Sequence, residues 1–232
     1  MVASNVDLLN EISLQLGHAI NSSLTATSDS SDLFEAYLLS LVLRAAEREG
    51  AGISYEDVHG NSSPTTFVFR TSPGQIASRR HPYTHAIISF PDQSDLEAHV
   101  GVKVSGTSGV LHECDVAVLS RKEARECRYR SMPGYWVAPR SSEILLATEC
   151  KFYAPSSSLL GEARSFIGLV SDLSSKTDRY FIFNISSRSA ERLLEKKSKT
   201  LKWVGEVFPA SGIEVERVLN LFQTTFRGYK KR

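Results

Sequence analysis

The stretch that decides the fold is ILLATECKFY, from Ile144 to Tyr153. It has the length and apolar content of a buried strand, yet Glu149 and Lys151 stand two residues apart near its end. Alternate side chains of a strand lie on the same face, so we expect these two charges side by side. A buried strand carries charges only where they are paired or bind a ligand. The end of this strand is therefore the first candidate for a functional site.

A second stretch, HECDVAVL at residues 112–119, repeats the arrangement earlier in the chain. Asp115 stands at the head of its apolar run, and Glu113 on the same face is a candidate accessory acid. Two apolar strands that each carry an acid near one end predict a metal site, because hard divalent cations prefer carboxylate oxygens. His112 is expected to be a hydrogen-bonded residue of the rim or of the core rather than a base.

The composition is that of an ordinary globular protein. The chain has 232 residues, of which 41% are hydrophobic and 23% charged, enough for one good core. No run approaches the ~18 apolar residues of a membrane span, and the first ten residues carry Asp7 but no base, unlike a signal peptide. We therefore expect a cytoplasmic protein with no membrane partner.

Charge is distributed unevenly along the chain, although its net value is only +1. Residues 1–60 hold nine acids and two bases, whereas residues 188–232 hold eleven bases and five acids. Residues 121–130 hold five bases and two acids. This asymmetry is compatible with a polyanion that contacts one side of the molecule, and equally with solvated faces of unequal charge.

The three cysteines are odd in number and lack paired spacing. We expect Cys114, Cys127 and Cys150 to be reduced, since no export signal is visible. A zinc site made by Cys114, Cys150 and His112 is conceivable, but closely spaced cysteine pairs are missing. Core thiols are the favoured interpretation of Cys114 and Cys150.

Apolar periodicity predicts helices and strands that alternate in the second half of the chain. The predicted helices cover residues 6–20, 33–50, 159–173, 190–199 and 212–226. The predicted strands cover residues 65–70, 84–90, 96–104, 113–119, 144–153, 180–185 and 202–209. Residues 54–80 are otherwise predicted to be turn-rich, residues 121–141 to form a basic, aromatic insertion, and residues 227–232 to fray.

This order of elements predicts the α/β class, with a mixed sheet between helices in a single domain over residues 1–232. An N-terminal helix and loop occupy residues 1–31, the core residues 32–186, and C-terminal helices with a basic tail residues 187–232. Glu35 lies in the first turn of the central, almost wholly apolar helix. It either interacts with the helix dipole or points into the acidic site.

These residues resemble the PD-(D/E)xK nuclease superfamily, which has the restriction-endonuclease-like fold. The match consists of Asp115 in HECDVAVL, Glu149-Cys150-Lys151 in ILLATECKFY, the helix from Leu159 and the strand YFIFNI. It covers residues 32–186 by element order, and Cys114 replaces the proline that sometimes precedes the aspartate. A second E-x-K tripeptide, which begins at Glu195, lies on a predicted helix surface, so the tripeptide alone is a weak signal.

The resemblance implies a central mixed β-sheet flanked by helices and an endonuclease that hydrolyses DNA with Mg²⁺ or Mn²⁺ in restriction, defence or DNA processing. RNA is the alternative substrate, and a homodimer that cuts both strands is one arrangement of such enzymes. Asp115 and Glu149 would bind the metal, with the backbone carbonyl of Cys150 completing the coordination. Lys151 would orient or deprotonate the attacking water and screen charge, and Glu35 would be the fourth member.

Several basic residues are candidates for contact with nucleic acid, with Tyr129 and Trp136 nearby for base stacking. They are Arg121, Arg125, Arg128, Arg130 and Arg164. A solvated surface explains them equally well. His81 and His85 are predicted to lie in a loop that could meet substrate. The competing function is a non-catalytic or partner-activated nucleic-acid-binding module on the same fold.

Overall fold

The computed structural model describes residues 4–62, 64–79, 81–132, 134–154, 158–197 and 199–232. A seven-stranded mixed sheet runs through its centre. Its strands are β2 (Gly52–Asp57), β4 (Thr84–Ser89), β5 (Leu96–Ser105), β6 (Leu111–Ser120), β7 (Ile144–Lys151), β8 (Asp178–Phe183) and β9 (Lys202–Val204), in that spatial order. A separate two-stranded sheet joins β1 (Asn21–Ser22) to β3 (Thr66–Phe67).

Helices cover both faces of the large sheet. They are α1 (Asn5–Leu16), α2 (Ser30–Arg48), α3 (Arg121–Arg130), α4 (Leu160–Asp172), α5 (Arg188–Glu195) and α6 (Gly212–Lys230). Buried side chains of α1, α2 and α6 share one hydrophobic core with the sheet, and those of α3, α4 and α5 contribute to two others. The prediction of an α/β fold with a mixed central sheet flanked by helices is confirmed.

The direction of pairing changes at β7. Strands β2, β4, β5, β6 and β7 are antiparallel neighbours, whereas β7, β8 and β9 are parallel. Parallel neighbours need a crossover, and α4 and α5 provide the two that this part of the sheet requires. The strand that carries Glu149 and Lys151 therefore lies at the junction of the antiparallel and parallel halves.

The β5–β6 pair changes the core that it packs against at Gly101. Val100 and Val116 pair and belong to the core beneath α2, whereas Val102 and Cys114 pair and belong to the core beneath α3. Gly101 lies between them at φ 58°, in the left-handed region that glycine adopts without a steric penalty. By register, Gly101 faces Asp115, so the bend occurs where the first acid of the site stands.

Several helix boundaries differ from the prediction, among them the end of α1 at Leu16, the end of α5 at Glu195, the start of α2 and the end of α6. The central helix begins at Ser30, because Asp29 accepts a hydrogen bond from the Ser31 N–H and caps it earlier than expected. The last helix extends to Lys230 instead of fraying after residue 226. The Lys230 ammonium donates to the Glu49 carbonyl at 2.7 Å and to its carboxylate at 3.0 Å, which fixes the final turn.

Other local features differ from the prediction or add to it. The predicted basic insertion begins with a helix, α3, because Ser120 caps it and Ala124 packs into the core. Strand β2 lies inside the segment expected to be turn-rich, and the apolar alternation of its sequence GISYED is limited to Ile53 and Tyr55. His85 is fully buried in β4 and does not lie in a loop.

The described helices include none with the length and hydropathy needed to cross a membrane. All three cysteines are buried free thiols. Cys114 and Cys150 lie in hydrophobic cores, as predicted, and the two cores are different ones.

Candidate functional site

A lysine lies between two acids at the end of β7. Lys151 Nζ is 2.7 Å from Glu149 Oε1 and 3.5 Å from Asp115 Oδ2. The same Asp115 oxygen accepts a hydrogen bond from the Cys150 N–H at 2.7 Å. The structure thus brings together Asp115, Glu149 and Lys151, which the sequence predicted on neighbouring strands.

The separation of β6 from β7 creates this arrangement. The two strands pair as far as Val116 and Thr148, and beyond that point the Cys150 N–H meets a side chain instead of a backbone carbonyl. The Lys151 carbonyl accepts from Asn184 on the β8 side at 3.2 Å. Because directions alternate along a strand, the N–H and carbonyl of Cys150 point to the opposite side, toward Asp115. This direction would bring the Cys150 carbonyl to the side of β7 where Asp115 lies, as the predicted metal coordination requires.

Glu35 reaches the same electrostatic environment from the first turns of α2. Burial raises the pKa of Glu35 to about 9, with further contributions from Asp115, Asp32 and Glu113, while Lys151 opposes the shift. A carboxyl that interacts only with the positive end of a helix dipole would have a lowered pKa instead. Of the two interpretations of Glu35, its placement favours the acidic site.

The other charged groups show the same crowding. Burial, followed by repulsion from Asp115, raises the pKa of Glu149 to about 7. Burial also raises the pKa of Asp115, and burial with repulsion from Asp115 raises that of Glu113. Burial alone would lower the pKa of Lys151, but Asp115 and Glu149 raise it above its usual value. Lys151 is therefore a protonated ammonium here, which favours orientation and charge screening over deprotonation of water.

The chemistry of this site fits a divalent cation. Burial raises the pKa of four acids (Glu35, Glu113, Asp115 and Glu149), Asp115 raises the pKa of the other three further, and Lys151 forms ion pairs with two of them. Asp115 Oδ2 and Glu149 Oε1 both lie within 3.5 Å of the Lys151 nitrogen, so both carboxylates face the space around one positive charge. Within the described ranges these acids do not form a trio with all donor atoms inside 4.8 Å of one another.

The arginines predicted to contact nucleic acid fall into two groups. Arg128 donates to both carboxylate oxygens of buried Glu97 at 2.6 and 2.8 Å, and Arg121 pairs with Glu56 and Asp95 at 2.7 and 2.8 Å. These two guanidinium groups hold the fold together, which corrects the expectation that they face a ligand. The exposed members of the set are Arg125, Arg130 and Arg164.

Helix α3 lies away from the acids. It begins after Ser120, five residues beyond Asp115 along β6. At about 3.3 Å per residue this places the start of the helix roughly 16 Å from Asp115. The start of α3 is therefore too far from Asp115 to contact a bond held there, whereas a long polymer bound at the acids could reach it.

Residues beyond β7 support the end of the strand. The Asn184 side chain accepts from the Tyr153 N–H at 2.8 Å and donates to its carbonyl at 3.0 Å. The Tyr153 hydroxyl donates to Glu162 at 3.2 Å. His112 bonds to Asp172 at 2.7 Å, as a rim residue should. The second E-x-K tripeptide, at Glu195, is exposed at the end of α5.

Sequence reasoning missed a second polar cluster, in which His85, Glu97 and His99 are all fully buried. Their ligand atoms lie within 4.8 Å of one another. Alternation places Glu97 and His99 on one face of β5, and a polar face of a strand is usually solvated. Here Arg128 of α3 covers that face, which the sequence of β5 does not indicate.

Comparisons give this chain no relatives. Neither the protein-family models, the curated proteins nor the solved structures contain a match to it.

Proposed function

We propose that this protein is a metal-dependent endonuclease that hydrolyses phosphodiester bonds of DNA, with a restriction-endonuclease-like fold. The observation that carries the proposal is the position of the Lys151 ammonium between Glu149 and Asp115, which come from adjacent strands. An ion pair that only stabilises the end of a strand requires a single acid beside the lysine. A lysine placed among four acids instead suits a centre that holds a cation and a phosphate together.

The arrangement of elements supports the fold assignment. An acid-bearing helix precedes the sheet, antiparallel β6 carries Asp115, and β7 carries Glu149 and Lys151 before a crossover helix leads to parallel β8. This is the element order that the resemblance requires. RNA remains the alternative substrate, because the site itself recognises phosphate rather than sugar.

Each residue has a separate task in the proposed reaction. Asp115 and Glu149 would hold Mg²⁺ or Mn²⁺ with the Cys150 carbonyl, and the cation would supply a more acidic water and offset charge on the phosphate. Lys151 would orient the attacking water and donate to a phosphate oxygen. The Cys150 N–H fixes the orientation of Asp115, and a bound cation would lower the pKa of Glu35 so that its carboxylate adds negative charge on the side of α2.

The competing function, a binding module without catalysis, predicts different behaviour. Arg125, Arg130 and the exposed rings of Tyr129 and Trp136 could bind nucleic acid without any metal. Such binding would be unaffected by EDTA and by substitution of Asp115. The acids would then have no role that explains their crowding.

Incubation with plasmid DNA, single-stranded DNA and RNA, each with Mg²⁺, Mn²⁺ or EDTA, tests the proposal. We expect cleavage that requires the metal and falls at least about 100-fold in Asp115→Asn and Lys151→Met, the scale of a lost electrostatic contact to the transition state. Glu195→Gln, at the exposed second tripeptide, is the matched control and should retain full activity. A wild-type protein inert on every substrate, which binds DNA equally well in EDTA, would establish the binding module instead.

A further inference from the structure

The second polar cluster combines two histidines and a glutamate at the β4–β5 pairing. His99 Nε2 lies 3.1 Å from Glu97 Oε2, and His85 Nε2 lies 3.5 Å from the same oxygen. All three side chains have no solvent exposure. The two imidazole rings stack, with centroids 4.9 Å apart. Three potential ligand atoms therefore converge on one buried point.

The hydrogen-bond partners of His99 restrict which of its ring nitrogens carries the proton. Tyr83 donates its single hydroxyl proton to the Ile76 carbonyl at 2.9 Å, so toward His99 Nδ1, at 3.4 Å, it can only accept. A neutral His99 with its proton on Nδ1 then directs the Nε2 lone pair at Glu97 Oε2. At 3.1 Å these two lone pairs would repel each other unless both bind a cation, whereas the tautomer with the proton on Nε2 would donate to Glu97 and leave the Nδ1 lone pair facing the Tyr83 oxygen.

His85 provides an independent observation. Neither of its ring nitrogens has a hydrogen-bond partner among the described residues, although the side chain is completely buried. Buried polar atoms are almost always satisfied, and an imidazole with both nitrogens unpaired is a rare exception. Its Nε2 already lies beside the Glu97 oxygen that faces His99. A ligand that accepts a nitrogen lone pair would satisfy it.

From these contacts we infer that His85, Glu97 and His99 form a site for a zinc-class transition-metal ion. Ligand atoms about 2.0–2.2 Å from a tetrahedral zinc are roughly 3.3 Å apart, and the 3.1 and 3.5 Å separations bracket that value. Two imidazoles and a carboxylate are a common zinc ligand set. Tyr83 would hold the outer nitrogen of His99, as residues behind metal-bound histidines do.

The surrounding charges are compatible with a cation. Arg128 occupies both oxygens of Glu97 from one side, and the histidines approach Oε2 from another. Arg121, whose Nε lies 3.8 Å from Glu97 Oε1, also pairs with Glu56 and Asp95, which offset its charge. The ion would fasten β4 to β5 beneath α3 and would have no access to substrate.

Metal content of the full chain tests this inference. The protein is expressed in zinc-supplemented medium, dialysed against EDTA and analysed by inductively coupled plasma mass spectrometry. We expect about one zinc per chain to survive dialysis, because a buried ion leaves only when the fold opens. His85→Gln and His99→Gln should lose it. His112→Gln, at a histidine bonded to Asp172 outside the cluster, should retain it.

Two further measurements complete the test. Asp115→Asn should keep its zinc, which separates this site from the proposed nuclease centre whatever the outcome of the cleavage assay. If the histidine variants do not fold, the wild type is refolded with Co²⁺ and its visible absorption recorded, with a tetrahedral nitrogen–oxygen spectrum as the expected result. Wild-type protein without metal after expression and refolding, or folded histidine variants that bind as much zinc as wild type, would overturn the inference.

Discussion

The Cys150 N–H donates to Asp115 Oδ2 across 2.7 Å, in the place where a backbone carbonyl of β6 would otherwise accept it. One carboxylate thereby replaces a rung of the sheet and is held in a fixed orientation. The hydrogen bond joins residues from two strands that separate at this point. It makes Asp115 both a part of the candidate centre and a part of the fold.

Substitutions of Asp115 should separate these two roles. Asparagine keeps an oxygen for the Cys150 N–H, whereas alanine leaves that buried donor without a partner, at a cost of about 1–3 kcal/mol. We expect Asp115→Ala to be less stable than Asp115→Asn by this amount in urea denaturation with EDTA, while both lose cleavage. Equal stability of the two variants would show that the hydrogen bond does not support the strand end.

Glu35 should make the metal-free protein less stable as pH rises. Its pKa is about 9 in the fold and 4.5 as the reference value, so between these pH values the folded state holds a proton that the unfolded chain has released. The contribution of Glu35 to the free energy of unfolding is therefore fully present below pH 4.5 and is lost as the pH rises toward 9. Glu35→Gln removes this penalty, and we expect it to stabilise the protein by about 1–3 kcal/mol at pH 8 and by almost nothing at pH 4.

Thermal unfolding in EDTA at the two pH values measures this effect. Glu195→Gln is the control, because that exposed acid should change stability little at either pH. A Glu35→Gln variant with the same shift at pH 4 and pH 8 would indicate that the carboxyl is not in a repulsive environment.

Arg128 and Arg125 should differ sharply, although both belong to α3. Arg128→Leu leaves Glu97 buried without its main partner, and loss of one member of a buried pair costs about 3–5 kcal/mol. Arg125→Leu changes an exposed side chain and should alter stability by no more than about 0.5 kcal/mol. Guanidinium denaturation of both variants checks the contrast. Comparable losses would contradict the assignment of Arg128 to the fold.

Arg125 also offers a test of the polyanion surface. If it contacts phosphate, Arg125→Leu should weaken binding of DNA at low salt and reduce the slope of log affinity against log salt by about one. Arg164→Leu, in another exposed region, is the companion measurement. Unchanged slopes for both variants would remove these residues from the proposed contact surface.

Gly101 should be costly to replace. Alanine would be forced into φ 58°, with its Cβ 3.4 Å from the Ser72 carbonyl oxygen, and we expect a loss of about 1–2 kcal/mol. Because Gly101 faces Asp115 at the bend, cleavage should fall as well. Gly168→Ala, in the interior of α4 with open space around it, should instead stabilise the protein by about 0.5–1 kcal/mol. Chemical denaturation of both variants compares them.

The sequence was informative where burial and periodicity agree. Strands β6 and β7 were predicted within two residues because their apolar runs are long, and the charges at their ends stood out against that background. The central helix was equally clear, and its first turn placed Glu35. Strand alternation predicted that Glu149 and Lys151 lie side by side, and the location of Asp115 near one end of its own strand predicted that it would lie close to them.

The remaining features depend on contacts between segments distant in sequence. Helix α3 is rich in charge, and only its packing through Ala124 and Cys127 reveals that it is more than an exposed loop. Glu97 appeared to be a solvated strand residue, because Arg128 approaches it from another element. No local pattern can show that a polar face is covered.

The bend at Gly101 and the junction at β7 also determine when the acids meet during folding. Glu35, Asp115 and Glu149 belong to segments separated by long stretches of chain, so their approach requires closure of large loops. Mutual repulsion opposes that approach until α2 is packed against the sheet. Such non-local contacts form slowly and late. A nascent or partly folded chain therefore lacks an assembled acidic centre, and the chemistry proposed for it begins only when folding is complete.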